Sequence, residues 1–214
     1  IYIHPTSKLI MNNKEQEYKK IIRANLDNVL ESGFIPELGM HKKGKVRDIH
    51  FSDGKVIMIA SDRISAFDHI LSRCIPFKGV ILNQFNVWAM RNAYDIVKTA
   101  MQKSPDSNVI IQNELKNSGF ECVVRGYVWG SLASDYEEGV RKKSGIVLPE
   151  GWLRYQQLDK PMFTPTTKAE KGHDERITRD EIIKRKIVSE KMYKQMETVA
   201  LQLFERGSKM CAKK

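Results

Sequence analysis

The chain has 214 residues, 36 Lys and Arg against 26 Asp and Glu, a net charge of +10 and 41% hydrophobic residues, a globular composition long enough to bury a sizeable core in one domain or two small lobes. Its longest apolar runs, such as Val56-Ile57-Met58-Ile59-Ala60, fall far short of the ~20 residues of a bilayer-spanning helix, which argues against a membrane partner. The positive charge permits a polyanionic partner, either nucleic acid or a small phosphorylated substrate.

In chain order, Tyr18, Ile21, Ile22, Leu26, Val29 and Leu30 recur at helical spacing, which predicts an amphipathic helix from Lys14 to Ser32 with Gly33 as its C-cap. Lys45 to Phe51, the turn Ser52-Asp53-Gly54 and the β-rich run Lys55 to Ala60 predict a hairpin whose first strand begins just after Gly44. From Gly79 to Met101 the residues Ile81, Leu82, Phe85, Trp88, Ala89, Ala93, Ile96 and Val97 predict a second helix. Asn108 to Gln112 and Glu121 to Trp129 read as strands on either side of an Asn117-Ser118-Gly119 turn. Pro149, Gly151, Pro161 and Pro165 predict loop from about 144 to 175. Thr178-x-x-Glu181 is a capping box, followed by a helical stripe from Ile182 to Phe204 that runs until Gly207, with Ser189 as a second N-cap. The expected division is residues 1–10 upstream of a natural start at Met11, a sheet-rich lobe over 11–120 and a second lobe over 121–214.

Cys74, Cys122 and Cys211 are odd in number, with no C-x-x-C pair or zinc-finger spacing. Free thiols in a reducing cytosol are expected. P-loop, dinucleotide-binding, zincin and nucleophile-elbow motifs are absent from the sequence. Four segments could carry chemistry. Lys43-Gly44-Lys45-Val46-Arg47-Asp48 offers a Gly for close anion approach with Lys and Arg to supply charge, although alone it reads more readily as a solvated basic turn. Ser61-Asp62-Arg63-Ile64-Ser65-Ala66-Phe67-Asp68 follows an apolar strand, where α/β sheets present functional residues. Taken alone it is a surface Asp–Arg pair. Arg125-Gly126-Tyr127-Val128-Trp129-Gly130-Ser131 places a guanidinium and a hydroxyl where both can converge on phosphate, with a helix starting at the Gly-Ser turn. Thr164 to Glu175 is a long polar loop. Its His173-Asp174-Glu175 reads as the acidic start of a helix rather than a metal site, because adjacent loop residues rarely face one ion. Trp88, Trp129 and Trp152 do not alternate with basic residues as single-strand platforms do, and are assigned to core or pocket wall.

Together these segments, with Lys78-Gly79 through Leu82-Asn83, Glu121-Cys122-Val123-Val124-Arg125-Gly126-Tyr127 and Phe163 to Glu170, resemble the SAICAR synthetase family (phosphoribosylaminoimidazole-succinocarboxamide synthase) from about Gly44 to Gly207. The resemblance implies an α+β, two-lobed fold, with a sheet-rich, kinase-like small lobe, a mixed helix and sheet second lobe and a cleft between them. It implies a cytoplasmic, ATP-dependent ligase of purine biosynthesis. Such a ligase joins L-aspartate to carboxyaminoimidazole ribonucleotide (CAIR) through an acyl phosphate, mainly by positioning and charge neutralisation.

The same resemblance gives Gly44, Lys45, Arg47 and Glu121 to ATP, with backbone near Glu114 to Glu121 at adenine. Arg125, Gly130, Ser131 and Lys78 go to CAIR, with Arg125 and Ser131 on its 5′-phosphate. Asp68 would face the imidazole, and Lys168, His173 and Asp174 would serve aspartate and catalysis. Mg²⁺ accompanies ATP, and the state is monomer or homodimer. One departure stands out: the family's D-x-K-x-E-F-G strand and its later D-E-x-x-(S/T)-P-D-(S/G)-S-R segment are not found in this sequence, so the metal ligands are expected beyond residue 214. The other readings are a truncated nucleotide-binding remnant without ligase activity and, supported by charge alone, a nucleic-acid-binding module.

Overall fold

The structure is a computed structural model that describes residues 5–66, 69–168 and 176–212. Its contacts divide the chain into two compact units, Ile1–Leu115 and Lys116–Lys214.

In the first unit, α1 (Pro5–Ala24) is followed, after a short 3-10 turn at Pro36–Leu38, by β1 (Met40–Lys43), β2 (Arg47–Ser52) and β3 (Lys55–Ala60). Then come the two-residue strands β4 (Ser65–Ala66) and β5 (His69–Ile70), α2 (Lys78–Ala93), β6 (Met101–Asp106) and β7 (Val109–Asn113). Five strands form one antiparallel sheet in the order β1-β2-β3-β7-β6. The predicted hairpin forms with Ser52 opposite Lys55, and its turn residues Asp53 and Gly54 take φ of 50° and 68°, the mirror-image turn that matches strand twist.

Register sorts this unit's chemistry. Arg47 lies opposite Ala60, and Ile49 opposite Met58, which in turn faces Ile110. Asp48 lies opposite Ile59, and His50 opposite Ile57. With the period of two, Arg47, Met58, Ala60 and Ile110 share the face toward α2, and Asp48, His50 and Ile59 share the other.

Two predicted helices differ. The first helix ends at Ala24, not Ser32, and Gly33 is no C-cap: a Cβ there would lie 2.6 Å from Ile59 Cγ2 and 3.4 Å from Asp48 Cβ. The segment after α1 lies against the sheet, with the Gly33 amide donating to Asp48 Oδ2 at 2.9 Å. The second helix stops at Ala93, and Met101, expected at its end, opens the unforeseen strand β6. The helix leans so closely on β3 that a Cβ on Gly79 would meet Ala60 O at 2.3 Å.

The second unit contains β8 (Phe120–Glu121), β9 (Val124–Tyr127), α3 (Ser131–Glu137), β10 (Lys142–Lys143) and β11 (Ile146–Val147), then β12 (Gln157–Phe163), β13 (Thr166–Thr167), α4 (Arg179–Lys184) and α5 (Glu190–Ala212). Its strands pair as β12 with β9, β13 with β8 and β10 with β11. The stretch expected to be loop thus holds β12, which tolerates Pro161 because its register shifts between Gln157 and Met162. One core packs Val128, Leu132, Ala133, Tyr136, Leu148, Leu158 and Met162 with Trp152 against them, and a second packs Phe120, Phe163, Ile177, Ile182 and Tyr193. Burial of the Tyr193 phenol pushes its pKa up to about 12.

The capping box forms: Thr178 Oγ1 accepts from the Glu181 amide at 3.2 Å and Glu181 Oε2 accepts from the Thr178 amide at 2.8 Å. Ser189 Oγ accepts from the Met192 amide at 3.2 Å, so it is the second N-cap, and α5 continues through Gly207 to Ala212. Thr178→Ala is expected to cost about 1 kcal/mol, read as a lower urea midpoint.

Candidate functional site

The β1–β2 connection, Gly44-Lys45-Val46, is held from beneath. The Gly44 amide donates to Arg47 O at 2.8 Å. Arg63 donates from Nη2 to Gly44 O at 3.0 Å and from Nε to Lys45 O at 3.1 Å. It also donates from Nη1 to Asp48 Oδ2 at 2.9 Å and to Glu31 O. Asp62 accepts from the amides of Leu30 at 2.9 Å and Gly79 at 2.8 Å. Asp62 and Arg63 are therefore not a surface pair: they are 7% and 5% exposed, and Arg63 is ion-paired to Asp48 rather than to its neighbour. Their work is to fix the loop and the start of α2.

Above them lies a pocket walled by Val46, Met58, Ala60, Leu82 and Ile110, with Arg47, Lys78 and Asn83 at its polar edge. Apolar walls suit a flat base and two cations suit phosphates. Lys78, expected with the ribonucleotide residues, lines this pocket together with Arg47. Glu114, whose amide donates to Gly54 O at 2.9 Å, starts the segment that crosses from the first unit to the second.

In the second unit, Arg125 on β9 donates from Nε to Thr164 Oγ1 at 3.1 Å, from Nη1 to Trp129 O at 3.4 Å and from Nη2 to Ser131 Oγ at 3.0 Å. A guanidinium has five N–H donors in a rigid fork, so among the described residues one donor on each terminal nitrogen is left for an anion. Gly130, at φ 58°, turns the chain so that Ser131 opens α3. Burial lowers the Arg125 pKa from its ordinary value, yet a guanidinium stays charged. The predicted convergence of Arg125, Gly130 and Ser131 is present. Thr164, 1% exposed, is a member that the sequence reading missed; its signal was the Phe163-Thr164-Pro165 run.

Glu121 on β8 and Lys168, just past β13, form an ion pair, because Thr166 lies opposite Glu121 in the two-strand register. Asp68, His173 and Asp174 lie outside the described residues. Among the described residues no group of three or more His, Cys, Asp and Glu could hold a metal ion, and no helix is long and apolar enough to cross a membrane. Trp152 packs on the core, whereas Trp88 and Trp129, also expected in core or pocket wall, are 45% and 53% exposed. Among the described residues neither belongs to a buried cluster, which excludes the core for both.

A family model for SAICAR synthetase matches residues 40–214. The chain belongs to the SAICAR synthetase family. The phosphoribosylaminoimidazole-succinocarboxamide synthase of Cytophaga hutchinsonii is 43% identical over 171 residues, covering 80% of this chain and 55% of that protein. The chloroplastic enzyme of the same name from Vigna aconitifolia is 39% identical over 182 residues, covering 83% and 53%. The chain thus spans about half the length of the curated SAICAR synthetase relatives it matches. Among solved structures, the SAICAR synthase of Saccharomyces cerevisiae complexed with SAICAR superposes at a TM-score of 0.74 with 24% identity, over 83% of this chain and 64% of that one. A SAICAR synthetase in complex with ADP superposes at 0.66 with 25% identity, over 81% and 69%. The α+β fold is therefore that of the SAICAR synthetases.

Proposed function

We propose that the chain carries substrate-binding parts of an ATP-dependent ligase that joins L-aspartate to CAIR, giving SAICAR, ADP and phosphate. The observation that carries this reading is the Arg125 fork, held by Thr164 and Ser131 with two donors left over, in a chain of the SAICAR synthetase family. A bidentate guanidinium with a neighbouring hydroxyl suits a ribonucleotide 5′-phosphate.

The ATP side rests on the pocket edged by Arg47 and Lys78, with Lys45 and Gly44 on the loop that Arg63 braces. In the reaction a carboxylate oxygen of CAIR attacks the γ-phosphorus and ADP leaves. The aspartate amine then attacks the acyl carbon, phosphate leaves and the amine loses a proton. The residues bind and orient: Arg125 and Ser131 the ribonucleotide phosphate, Arg47, Lys45 and Lys78 the nucleotide phosphates. Lys168, His173 and Asp174 are assigned to aspartate, and Asp68 to the imidazole side. Glu121 is ion-paired to Lys168, which favours the aspartate side for it over ATP. Mg²⁺ would enter as the counter-ion of ATP; among the described residues no group of three or more His, Cys, Asp and Glu could hold it. A cytosolic setting suits the free thiols of Cys74, Cys122 and Cys211.

The test is ADP release from MgATP and CAIR, with and without L-aspartate. ADP that requires both co-substrates is the expected result. A folded protein that binds ATP yet releases no ADP under any combination would reduce the chain to a nucleotide-binding scaffold.

A further inference from the structure

Beside the Arg125 fork stands an aromatic pair that neither core uses. The rings of Trp129 and Tyr155 lie 4.8 Å apart at 30°, and the two residues remain 53% and 64% exposed. Trp152, only three positions from Tyr155, shows the contrasting case: it packs against Tyr136 at 5.7 Å and joins the core. Exposed paired rings lose the burial that usually holds aromatics together, so something else must fix Tyr155.

Its backbone does. Tyr155 has φ 70°, the left-handed region that a bulky side chain seldom adopts. It is held there by its amide donating to Val128 O at 2.8 Å, while the Val128 amide donates to Gln156 O at 2.8 Å. Strained residues of this kind cluster at ligand sites. Trp129 is tied to the same fork from the other direction, since its carbonyl accepts from Arg125 Nη1 at 3.4 Å and Gly130-Ser131 follows it directly. One short segment thus carries both a phosphate-seeking guanidinium and an open aromatic surface.

We infer that Trp129, backed by Tyr155, is a stacking platform for the heterocycle of the ribonucleotide whose 5′-phosphate Arg125 and Ser131 hold. The assignment rests on the proposed phosphate site and adds ring recognition to it. Phosphate contacts alone hold any phosphorylated sugar; a platform makes the site prefer one bearing a flat ring, because every base offers a π-face. Tyr155 keeps the indole from turning away, and is a positioning residue rather than a contact.

The experiment compares two probes, ribose 5-phosphate and a 5′-phosphorylated aminoimidazole ribonucleoside, by calorimetry on the full chain. Trp129→Ala is expected to weaken the ribonucleotide about tenfold or more and to leave ribose 5-phosphate within about twofold, with Trp129→Phe restoring most of the loss. Tyr155→Ala is expected to show a smaller loss of the same selectivity. The unchanged ribose 5-phosphate affinity doubles as a check that the variants fold. Equal losses for both probes in variants whose thermal melts match the wild type, or no loss for either, would overturn the platform, while the phosphate site stands on wild-type binding of ribose 5-phosphate. A wild-type chain that binds neither probe, or whose binding survives Arg125→Ala, would overturn the phosphate site and the platform with it.

Discussion

Replacing Arg63 with alanine is expected to destabilise the first unit by about 3–5 kcal/mol, read as a lower urea midpoint. Asp48 is 0% exposed, and the substitution removes the guanidinium paired with it. The carbonyls of Glu31, Gly44 and Lys45 lose a donor at the same time. Arg63→Lys should recover little, since a point charge cannot reproduce a fork that reaches four acceptors. The pH dependence gives an independent check. Burial by itself would raise the Asp48 carboxyl, but the Gly33 amide, Arg63 and His41 outweigh it and hold the pKa below the ordinary value. A lowered folded-state pKa contributes stability that is present above the unfolded value, about 3.9, and is lost as pH falls through the folded one. Without Arg63 that contribution shrinks or reverses. The stability gap between wild type and variant should therefore be widest near neutral pH and narrow as pH falls below about 4. A gap independent of pH would mean that the pair contributes packing rather than charge.

The largest expected effect on binding is at Arg125. Its two remaining donors would make charge-assisted hydrogen bonds of about 1.5–3 kcal/mol each, so Arg125→Ala should weaken the ribonucleotide by at least about 100-fold and leave ATP within about twofold. Lys45→Ala should do the reverse, with a milder loss of about fivefold for ATP, because a single exposed lysine is a flexible point charge. Calorimetric titration of each variant with each ligand reads the pattern directly. Equal losses on both ligands would show that these residues act through folding, a real concern for Arg125 because Thr164 packs beneath its fork. Thermal melts of the same samples separate the two explanations.

Much of the local chemistry was legible in the sequence. Thr178 and Glu181 cap α4 as their spacing requires, and Asp53-Gly54 closes the hairpin that its turn residues announce. Arg125 and Ser131 meet as the Arg-then-Gly-Ser order suggests. Each depends on neighbours within six positions, where backbone geometry leaves few choices. The errors arise where distant contacts override local preference. Val29 and Leu30 sit at helical spacing, but Leu30 is hydrogen-bonded to Asp62 in both directions, and the helix ends at Ala24. Met101 continues an apolar pattern without Gly or Pro, but its backbone is claimed by β7, where it lies opposite Gln112. Pro161 marks a break in sequence, but β9 supplies β12 with an antiparallel partner whose register shift accommodates it.

The sequence by itself determined the family, through short motifs in a fixed order, together with the caps, the turns and the alternation that sends Arg47 and Asp48 to opposite faces of the sheet. Only the tertiary structure decided which of the charged residues are structural and which are available to a ligand. Asp62 and Arg63 became buried braces because strand register and the close approach of α2 enclosed them. Lys78 came to line a pocket with Arg47, Glu121 joined Lys168, and Trp129 stayed open while Trp152 was covered, for the same physical reason: burial and pairing between residues far apart in the chain are properties of packing, which local spacing does not encode.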